Sequence, residues 1–344
     1  MTRILSLFKF SNSIFALLLM LNAAQAASTH YPLVLENCGV EVTFPKAPQR
    51  AIGLGQNSAE ILLLLGLQDR MVGTAFWPSH VMPQLAAANA KVKLLTVEFP
   101  TFESMLAEDP DLVAAALPSL LGPNSKVAKR EDFEKVGVPT YLSPSTCLDT
   151  KATKDTYGSR DRLWTSALLY QEIDELSRIF DVQDRGQALI ADFKAREAAL
   201  RAMVQNNGTS GKPLSYLFWF SSPSPSADAY VGGKNGASGY IANLLGGTNA
   251  IASEAEWPTV GWESIIAANP GVIVAASLDR NRWELDKSDA KVRFLTTDPA
   301  LSELPAVKSK AIVVMDGQAM NPGVRTIYGA EQVAAQLKAL GLLR

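Results

Sequence analysis

One phrase occurs twice in this chain and constrains its fold more than any other feature. The two copies occupy residues 102–113 (FESMLAEDPDLV) and 262–273 (WESIIAANPGVI). A glutamate in a first helical turn meets the positive end of the helix dipole. Proline favours extended geometry in the residue before it, which ends a helix. Each copy therefore predicts a short helix followed by a strand that is buried on both faces, at 112–115 and at 272–275.

A second pair of phrases repeats in the same order. Leu64-Leu65-Gly66-Leu67 closes one apolar helix, and Leu244-Leu245-Gly246-Gly247 closes another. Repetition at this scale is typical of a duplicated structural unit, and strands that alternate with helices indicate mainly parallel sheets. We therefore predict an α/β protein of two Rossmann-like lobes, which a length of 344 residues and a hydrophobic content of 47% allow.

Residues 184–205 predict a long helix between the two lobes. The segment is dense in Ala, Leu, Lys, Arg and Glu, and neither Gly nor Pro interrupts it after Gly186. A helix of about 20 residues spans about 30 Å, and its place between the repeats indicates a rigid connection. The predicted organisation is an N-terminal lobe at 27–183, the connecting helix at 184–205 and a C-terminal lobe at 206–344.

Residues 1–26 predict a secretory signal peptide that is removed. Positive residues precede an apolar run at 14–21, and Ala24-Gln25-Ala26 has the small-residue pattern of a cleavage site. The apolar run is too short to span about 30 Å of hydrocarbon. We therefore expect export to the periplasm, with cleavage near Ala26.

Two cysteines remain after this cleavage, Cys38 and Cys147. An even number of cysteines in an exported protein favours a disulfide bond. Two buried free thiols are the alternative.

Composition and motifs argue against several functional classes. The formal net charge of −2 gives no basic surface of the kind that nucleic-acid binding requires. The only histidines are His30 and His80, and the metalloprotease, paired CxxC and GxSxG motifs are all missing. Receptors for bare Zn²⁺ or Mn²⁺ use several histidines and carboxylates. We expect no catalytic residues, no resident cofactor and no direct metal ligands.

Several short phrases, taken with the signal, the two lobes and the connecting helix, resemble class III periplasmic binding proteins. They are Pro48-Gln49-Arg50, Glu60-Ile61-Leu62, Pro110-Asp111-Leu112-Val113, Trp257-Pro258 and Asn269-Pro270. This family serves ABC importers of ferric siderophores, haem and cobalamin. Asn37-Cys38-Gly39 and Pro322-Gly323-Val324-Arg325 also look like an iron-complex-binding branch. The resemblance covers nearly all of the mature chain and implies a ligand cleft between the lobes.

Position along the chain selects candidate residues for this cleft. Residues 221–239, rich in Ser, Pro and Gly, predict one long loop after a strand, and open α/β sheets bind ligands at the carboxyl ends of their strands. Polar, aromatic and cationic side chains at such positions are Gln56, Asn57, Trp77, Trp219, Tyr230, Trp257 and Arg325. A guanidinium suits a carboxylate or a catecholate. The alternative for the aromatics is a place in the core, and for Arg325 a surface-loop charge.

The resemblance also implies partners. In the family, one glutamate on each lobe docks onto arginines of the membrane permease, and the repeated phrase carries these residues here at Glu103 and Glu263. The alternative is that both are ordinary helix N-terminal charges. The implied function is a monomeric receptor that delivers a metal chelate to an ABC permease and its ATPase, with a ferric siderophore as first choice.

Other ligands and one other class stay open. Cobalamin or another corrinoid, haem and a metal-free small molecule are alternatives within the same type of receptor. An exported enzyme or a metal-cofactor assembly factor on the same two-lobed fold is the rival class.

Overall fold

The computed structural model describes residues 28–147, 158–207 and 213–343, and the predicted signal peptide at 1–26 lies outside them. The strands are β1 (Leu33–Asn37), β2 (Val40–Phe44), β3 (Ala51–Leu54), β4 (Met71–Ala75), β5 (Leu94–Thr96), β6 (Leu112–Ala115), β7 (Thr140–Leu142), β8 (Ser215–Ser221), β9 (Ala229–Val231), β10 (Thr248–Asn249), β11 (Thr259–Val260), β12 (Val272–Ser277) and β13 (Ile312–Asp316).

The α-helices alternate with these strands. They are α1 (Gln56–Leu64), α2 (Ala86–Asn89), α3 (Phe102–Leu106), α4 (Pro118–Leu121), α5 (Arg130–Lys135), α6 (Ser166–Ile179), α7 (Gln183–Asn207), α8 (Ala237–Leu244), α9 (Trp262–Ala268), α10 (Ser288–Thr297), α11 (Pro305–Lys308) and α12 (Val324–Ala339). Within the three described ranges, none of the helices combines the length and the apolar character that crossing a bilayer requires.

Two sheets form the centres of the fold. The first has the strand order β5-β4-β3-β6-β7, and all of its pairings are parallel. The second has the order β11-β9-β8-β12-β13, with β10 also paired to β8. Here β8, β10, β12 and β13 run parallel, whereas β9 pairs antiparallel with β8 and β11 pairs antiparallel with β9. This arrangement confirms the predicted α/β class.

The repeated phrase has the same structure in both sheets. It forms α3 followed by β6 in the first and α9 followed by β12 in the second, and both strands are fourth in their sheet order. One detail of the prediction is wrong. Asp109 and Asn269, which precede the prolines, have φ of 47° and 46° and are left-handed rather than extended. Asp and Asn tolerate this region better than other non-glycine residues, so the Asx side chain is what permits the turn.

The stretch 221–239 is less irregular than its composition suggests. It contains β9, whose Val231 pairs with Trp219 and whose Tyr230 pairs with Thr259, and α8 begins at Ala237. The prediction of one continuous loop is therefore wrong in part. Backbone pairing fixes Tyr230 in place.

The long helix α7 contacts both halves of the molecule. Arg185 Nη1 donates to the carbonyl oxygen of Leu65, just after α1, at 3.0 Å. Further along, Arg196 Nη1 pairs with Glu331 of α12 at 3.1 Å. The buried side chains of Phe193 and Leu200 anchor the helix against the core.

Cys38 and Cys147 form a disulfide bond, as the cysteine count and the expected compartment predicted. It joins the turn between β1 and β2 to the segment that follows β7. The bond therefore attaches the N-terminal hairpin to the first sheet.

Candidate functional site

A cleft of about 750 Å³ lies between the two sheets. Its lining residues follow the C-terminal ends of strands on both sides: Trp77 comes after β4, Leu117 after β6, Arg280 after β12 and Gln318 after β13. Parallel strands present these ends at one edge of a sheet, where open α/β sheets bind ligands. The duplicated architecture therefore builds one site from two facing edges.

The wall on the first sheet is aromatic and carries one cation. The rings of Phe76 and Phe99 have centroids 4.6 Å apart, and Lys126 Nζ lies 5.1 Å from the Phe99 centroid. The amide of Trp77 donates to the carbonyl of Val97 at 3.1 Å, which holds the two segments together. Phe76 has a φ of 58°, a left-handed conformation that is rare for an aromatic residue.

The wall on the second sheet combines aromatic rings with guanidinium groups. Phe220 packs against Trp257 at 4.8 Å and Tyr230 against Trp283 at 5.1 Å between ring centroids. The Arg280 guanidinium carbon lies 5.2 Å from the Phe220 centroid and 4.9 Å from that of Trp283. The guanidinium therefore lies over two aromatic rings, and cation–π contacts of this kind suit arginine.

A buried carboxylate, Asp286, supports this second wall. Its Oδ1 accepts from Arg280 Nε and Nη2, both at 3.2 Å, and its Oδ2 accepts from the amides of Arg282 and Trp283, both at 2.9 Å. Burial alone raises the pKa of Asp286, but the hydrogen bonds from Ser221 and the Trp283 amide and the charge of Arg280 outweigh it and lower the pKa. Asp286 is thus held in its charged form.

A buried lysine lies behind the same wall. Lys291 Nζ donates to the carbonyl oxygens of Ala276 and Asp286, each at 2.9 Å, and its side chain is fully buried. Burial lowers the pKa of Lys291 to about 7, and the charge of Asp286 opposes that shift. The two carbonyls lie on either side of the segment that carries Arg280 and Trp283, so Lys291 joins the two ends of that segment.

Two polar side-chain contacts cross the cleft from one side to the other. His80 Nδ1 lies 2.6 Å from Asp279 Oδ2, and Arg282 Nη2 lies 3.6 Å from Glu98 Oε2. The side chains of Arg282 and Glu98 are 58% and 66% exposed, so water screens their attraction. An ion pair as exposed as that between Arg282 and Glu98 contributes about 0–1 kcal/mol.

The structure places three of the seven predicted ligand-binding residues, Trp77, Tyr230 and Trp257, in the lining of the cleft. Gln56 and Asn57 are instead structural. Gln56 Nε2 donates to the carbonyls of Ser79 and His80, both at 3.1 Å. Asn57 Oδ1 accepts from the amide of Val324 at 2.9 Å, and its Nδ2 donates to Glu172.

Trp219 and Arg325 are the clearest corrections. Trp219 is fully buried, packs edge-to-face against Trp262 at 5.0 Å, and donates from Nε1 to Ser222 Oγ. Arg325 is also buried, and its guanidinium binds Glu60 and Asp316 rather than facing the cleft. Trp219 belongs to the core of the second sheet, and Arg325 connects α12 to α1.

Sequence reasoning missed the most highly charged part of the lining. Arg280, Arg282 and Trp283 follow β12 directly, and this position after a buried strand is the signal that could have found them. Lys126 and Phe99 lie outside helices and strands, and the sequence carries no comparable signal for them.

Glu103 and Glu263 are distant in sequence but occupy equivalent positions in the two copies of the repeated phrase. Each is exposed in the first turn of its helix, α3 or α9, and each helix buries the residue two positions later, Met105 or Ile265. The ion pairs found among the described residues include neither glutamate. Both carboxylates are thus available to a partner.

Across the described part of the chain, no three His, Cys, Asp or Glu side chains form a group that could hold a metal ion.

Comparison with known proteins agrees with this architecture. The family model described as periplasmic binding protein matches residues 52–319. The uncharacterized ABC transporter substrate-binding lipoprotein YvrC of Bacillus subtilis (strain 168) is 22% identical over 314 residues, which are 89% of this chain and 86% of that protein.

Solved structures show the same fold. A periplasmic binding protein from Veillonella parvula matches with a TM-score of 0.72 and 22% identity, covering 89% of this chain and 97% of that one. An ABC-type Fe³⁺-hydroxamate transport system protein from Saccharomonospora viridis matches with a TM-score of 0.68 and 25% identity, covering 90% of this chain and 99% of that one.

Proposed function

Since this chain belongs to the periplasmic binding protein family, we propose that it is the extracytoplasmic receptor of an ABC importer for a metal chelate, with a ferric siderophore as first choice. In this proposal the protein binds and delivers its ligand and does not transform it. Its place of action is the periplasm, and its partners are a permease and an ATPase.

One observation carries the choice of ligand class. Both walls of the cleft combine aromatic rings with cationic side chains: Lys126 with Phe99 on one side, and Arg280 with Phe220 and Trp283 on the other. A cleft of about 750 Å³ accommodates a ligand of substantial size. Chelates with aromatic or conjugated arms offer flat surfaces for the rings and oxygen atoms for the cations.

Two relatives support the proposal. The Bacillus subtilis relative is described as an ABC transporter substrate-binding lipoprotein, which favours an ABC importer as partner and a location outside the cytoplasm. The Saccharomonospora viridis protein belongs to an Fe³⁺-hydroxamate transport system, which favours a ferric chelate as cargo.

A fluorescence titration tests the ligand class. Trp77, Trp257 and Trp283 line the cleft, so a bound ferric chelate is expected to quench tryptophan emission from the mature protein. The panel contains ferric catecholate and hydroxamate siderophores, haemin and cobalamin. Saturable quenching by a ferric siderophore supports the proposal. Saturable quenching by cobalamin alone contradicts the choice of a siderophore. Quenching by no member of the panel, while the circular dichroism spectrum is native, contradicts the proposal as a whole.

Haem is the second candidate, because two side chains of types that ligate haem iron line the cleft, His80 and Tyr230. Asp279 holds His80 at Nδ1, and Nε2 is the ring nitrogen left for a ligand. If haem is the cargo, haemin gives a Soret shift that His80→Ala or Tyr230→Phe abolishes. If both variants give the same Soret spectrum as the wild type, iron ligation by these residues is excluded.

We further propose that Glu103 and Glu263 dock the two lobes onto a pseudo-symmetric permease. Exposed ion pairs contribute about 0–1 kcal/mol each, so their role is in register and association rate. Glu103→Ala combined with Glu263→Ala is expected to abolish uptake while ligand affinity stays unchanged. The matched control is Glu131→Ala with Asp289→Ala, which also removes one exposed first-turn carboxylate from each half. Normal uptake by the first double variant refutes the docking role.

A further inference from the structure

The segment that follows β12, residues 278–286, forms a loop whose two ends are joined by hydrogen bonds from lysine side chains. Lys291 Nζ joins the carbonyl of Ala276, before the loop, to that of Asp286, at its end. Lys287 Nζ donates to the carbonyls of Leu278 and Asp279 at 3.1 and 2.9 Å. Two lysine side chains therefore close the base of the loop.

Inside this loop, one carboxylate fixes the part that reaches the cleft. Asp286 has no exposed side-chain surface, yet it binds the side chain of Arg280 and the amides of Arg282 and Trp283. Ser221 Oγ lies 2.7 Å from its Oδ1 and adds a further contact from β8. The carboxylate thus has partners on both oxygens, and each of the three loop residues that it binds lines the cleft.

The guanidinium of Arg280 is consequently immobilised before any ligand arrives. Asp286 binds Nε and Nη2, and the guanidinium carbon lies within 5.2 Å of the ring centroids of Phe220 and Trp283. Asp286 lies behind the wall, so it fixes Arg280 without occupying the cleft. A cation ordered in advance loses less conformational entropy on binding, and this makes its hydrogen bonds to an anion more effective.

The side chains that face the cleft include more cations than carboxylates, and the carboxylate that balances Arg280, Asp286, lies behind the wall rather than in the lining. Among the described residues that line the cleft, the cations are Lys126, Arg280 and Arg282, and the carboxylates are those of Glu98 and Asp279. Asp279 is bound to both the ring and the amide of His80. The pair between Arg282 and Glu98 is long and exposed, so an anionic ligand is able to displace it.

We propose that Asp286 is a positioning residue that orders Arg280, Arg282 and Trp283 as an anion-recognition element, so that the cleft prefers a negatively charged chelate to a neutral one. This inference rests on the proposed function and narrows its ligand class. It also assigns selectivity to a residue that does not contact the ligand.

The test compares two ferric probes that differ in charge. Ferric enterobactin is a trianionic tris-catecholate, and ferrichrome is a neutral tris-hydroxamate. Titration by tryptophan quenching gives a Kd for each with the mature protein and with Asp286→Asn. We expect the wild type to bind ferric enterobactin more tightly. Asp286→Asn is expected to weaken the binding of ferric enterobactin about tenfold or more, which corresponds to the loss of roughly one charge-assisted hydrogen bond. The same variant is expected to change the Kd for ferrichrome by less than about twofold. A merely structural role for Asp286 would weaken both probes equally.

A second variant and a control keep the outcome clear. Arg280→Lys retains the positive charge but loses the planar stacking and the two contacts to Asp286, so it is expected to show the same selective loss. The matched controls are Asp289→Asn and Arg293→Lys, both exposed on α10, which are expected to leave both Kd values unchanged.

Each contrary outcome overturns a defined statement. Equal or tighter binding of ferrichrome by the wild type contradicts the preference for anions and leaves the receptor proposal standing. An unchanged ratio of Kd values in both Asp286→Asn and Arg280→Lys contradicts the positioning role. A folded protein that binds neither probe, nor haemin, nor cobalamin contradicts the proposed function together with this inference.

Discussion

Replacement of Arg325 by methionine is expected to destabilise the protein strongly, although it removes no side chain from the lining of the cleft. Arg325 Nε donates to Glu60 Oε2 at 2.8 Å, and its Nη2 donates to Glu60 Oε1 at 2.5 Å and to the carbonyl of His80 at 2.6 Å. Its Nη1 binds Asp316. Methionine keeps much of the side-chain volume but removes every one of these donors.

The magnitude follows from burial. The side chain of Glu60 is fully buried and that of Arg325 is 8% exposed, so removal of the guanidinium leaves a carboxylate in the interior without its cationic partner. Breaking a buried ion pair in this way costs about 3–5 kcal/mol. Because Glu60 lies on α1 and Arg325 on α12, the loss also removes a direct connection between the two halves.

The assay is urea unfolding followed by circular dichroism, with Arg196→Met as the matched control. Arg196 also binds two carboxylates, Asp192 and Glu331, but its side chain is 34% exposed. We expect that control to lose no more than about 1 kcal/mol. Addition of Glu60→Gln to Arg325→Met should recover part of the lost stability, because no buried carboxylate then remains unpaired. A loss for Arg325→Met no larger than that for Arg196→Met would refute the reasoning.

Three further predictions concern the pH dependence of stability, the disulfide bond and two of the tryptophans. Burial raises the pKa of Glu172 to about 7, so its contribution to stability is present below its unfolded pKa and is lost as the pH rises towards 7. The difference in free energy of unfolding between Glu172→Gln and the wild type should therefore shift by up to about 3 kcal/mol in favour of the variant as the pH rises from 4 to 8. A difference between the two proteins that stays constant with pH contradicts this prediction. Cys38→Ser with Cys147→Ser should lower that free energy by about 2–4 kcal/mol in urea unfolding, and no loss would contradict the bond's stabilising role. Trp219→Ala should cost about 3–5 kcal/mol of stability, whereas Trp257→Ala should weaken ligand binding at nearly constant stability, and the reverse pattern would contradict their placement.

Local sequence patterns predicted the repeated elements of the fold, whereas β9 and the start of α8 were missed inside the predicted loop at 221–239. The two copies of the repeated phrase become equivalent helix–strand units because their apolar runs and Asx-Pro ends specify the same local structure wherever they occur. The family expectation that rested on these units is confirmed by the match over residues 52–319. Asp109 and Asn269 show the limit of the local rules, since proline alone would predict an extended conformation there.

The site was harder to predict because burial depends on which side of a strand faces the cleft. Trp219 and Phe220 are adjacent in β8, and only Phe220 reaches the lining. The partner of Arg325, Glu60, is 265 positions away, so no local pattern reveals that pair. In contrast, the position argument could have found Arg280, because it comes three residues after β12, much as Trp77 comes two residues after β4.

The most direct test of the receptor proposal is native mass spectrometry with metal analysis of the mature protein, purified from the cell envelope of its own organism. The account predicts one iron chelate per chain, released when the protein is denatured and identified by its mass. A protein that carries only a metal-free small molecule, and whose tryptophan emission no ferric chelate quenches, would contradict the account.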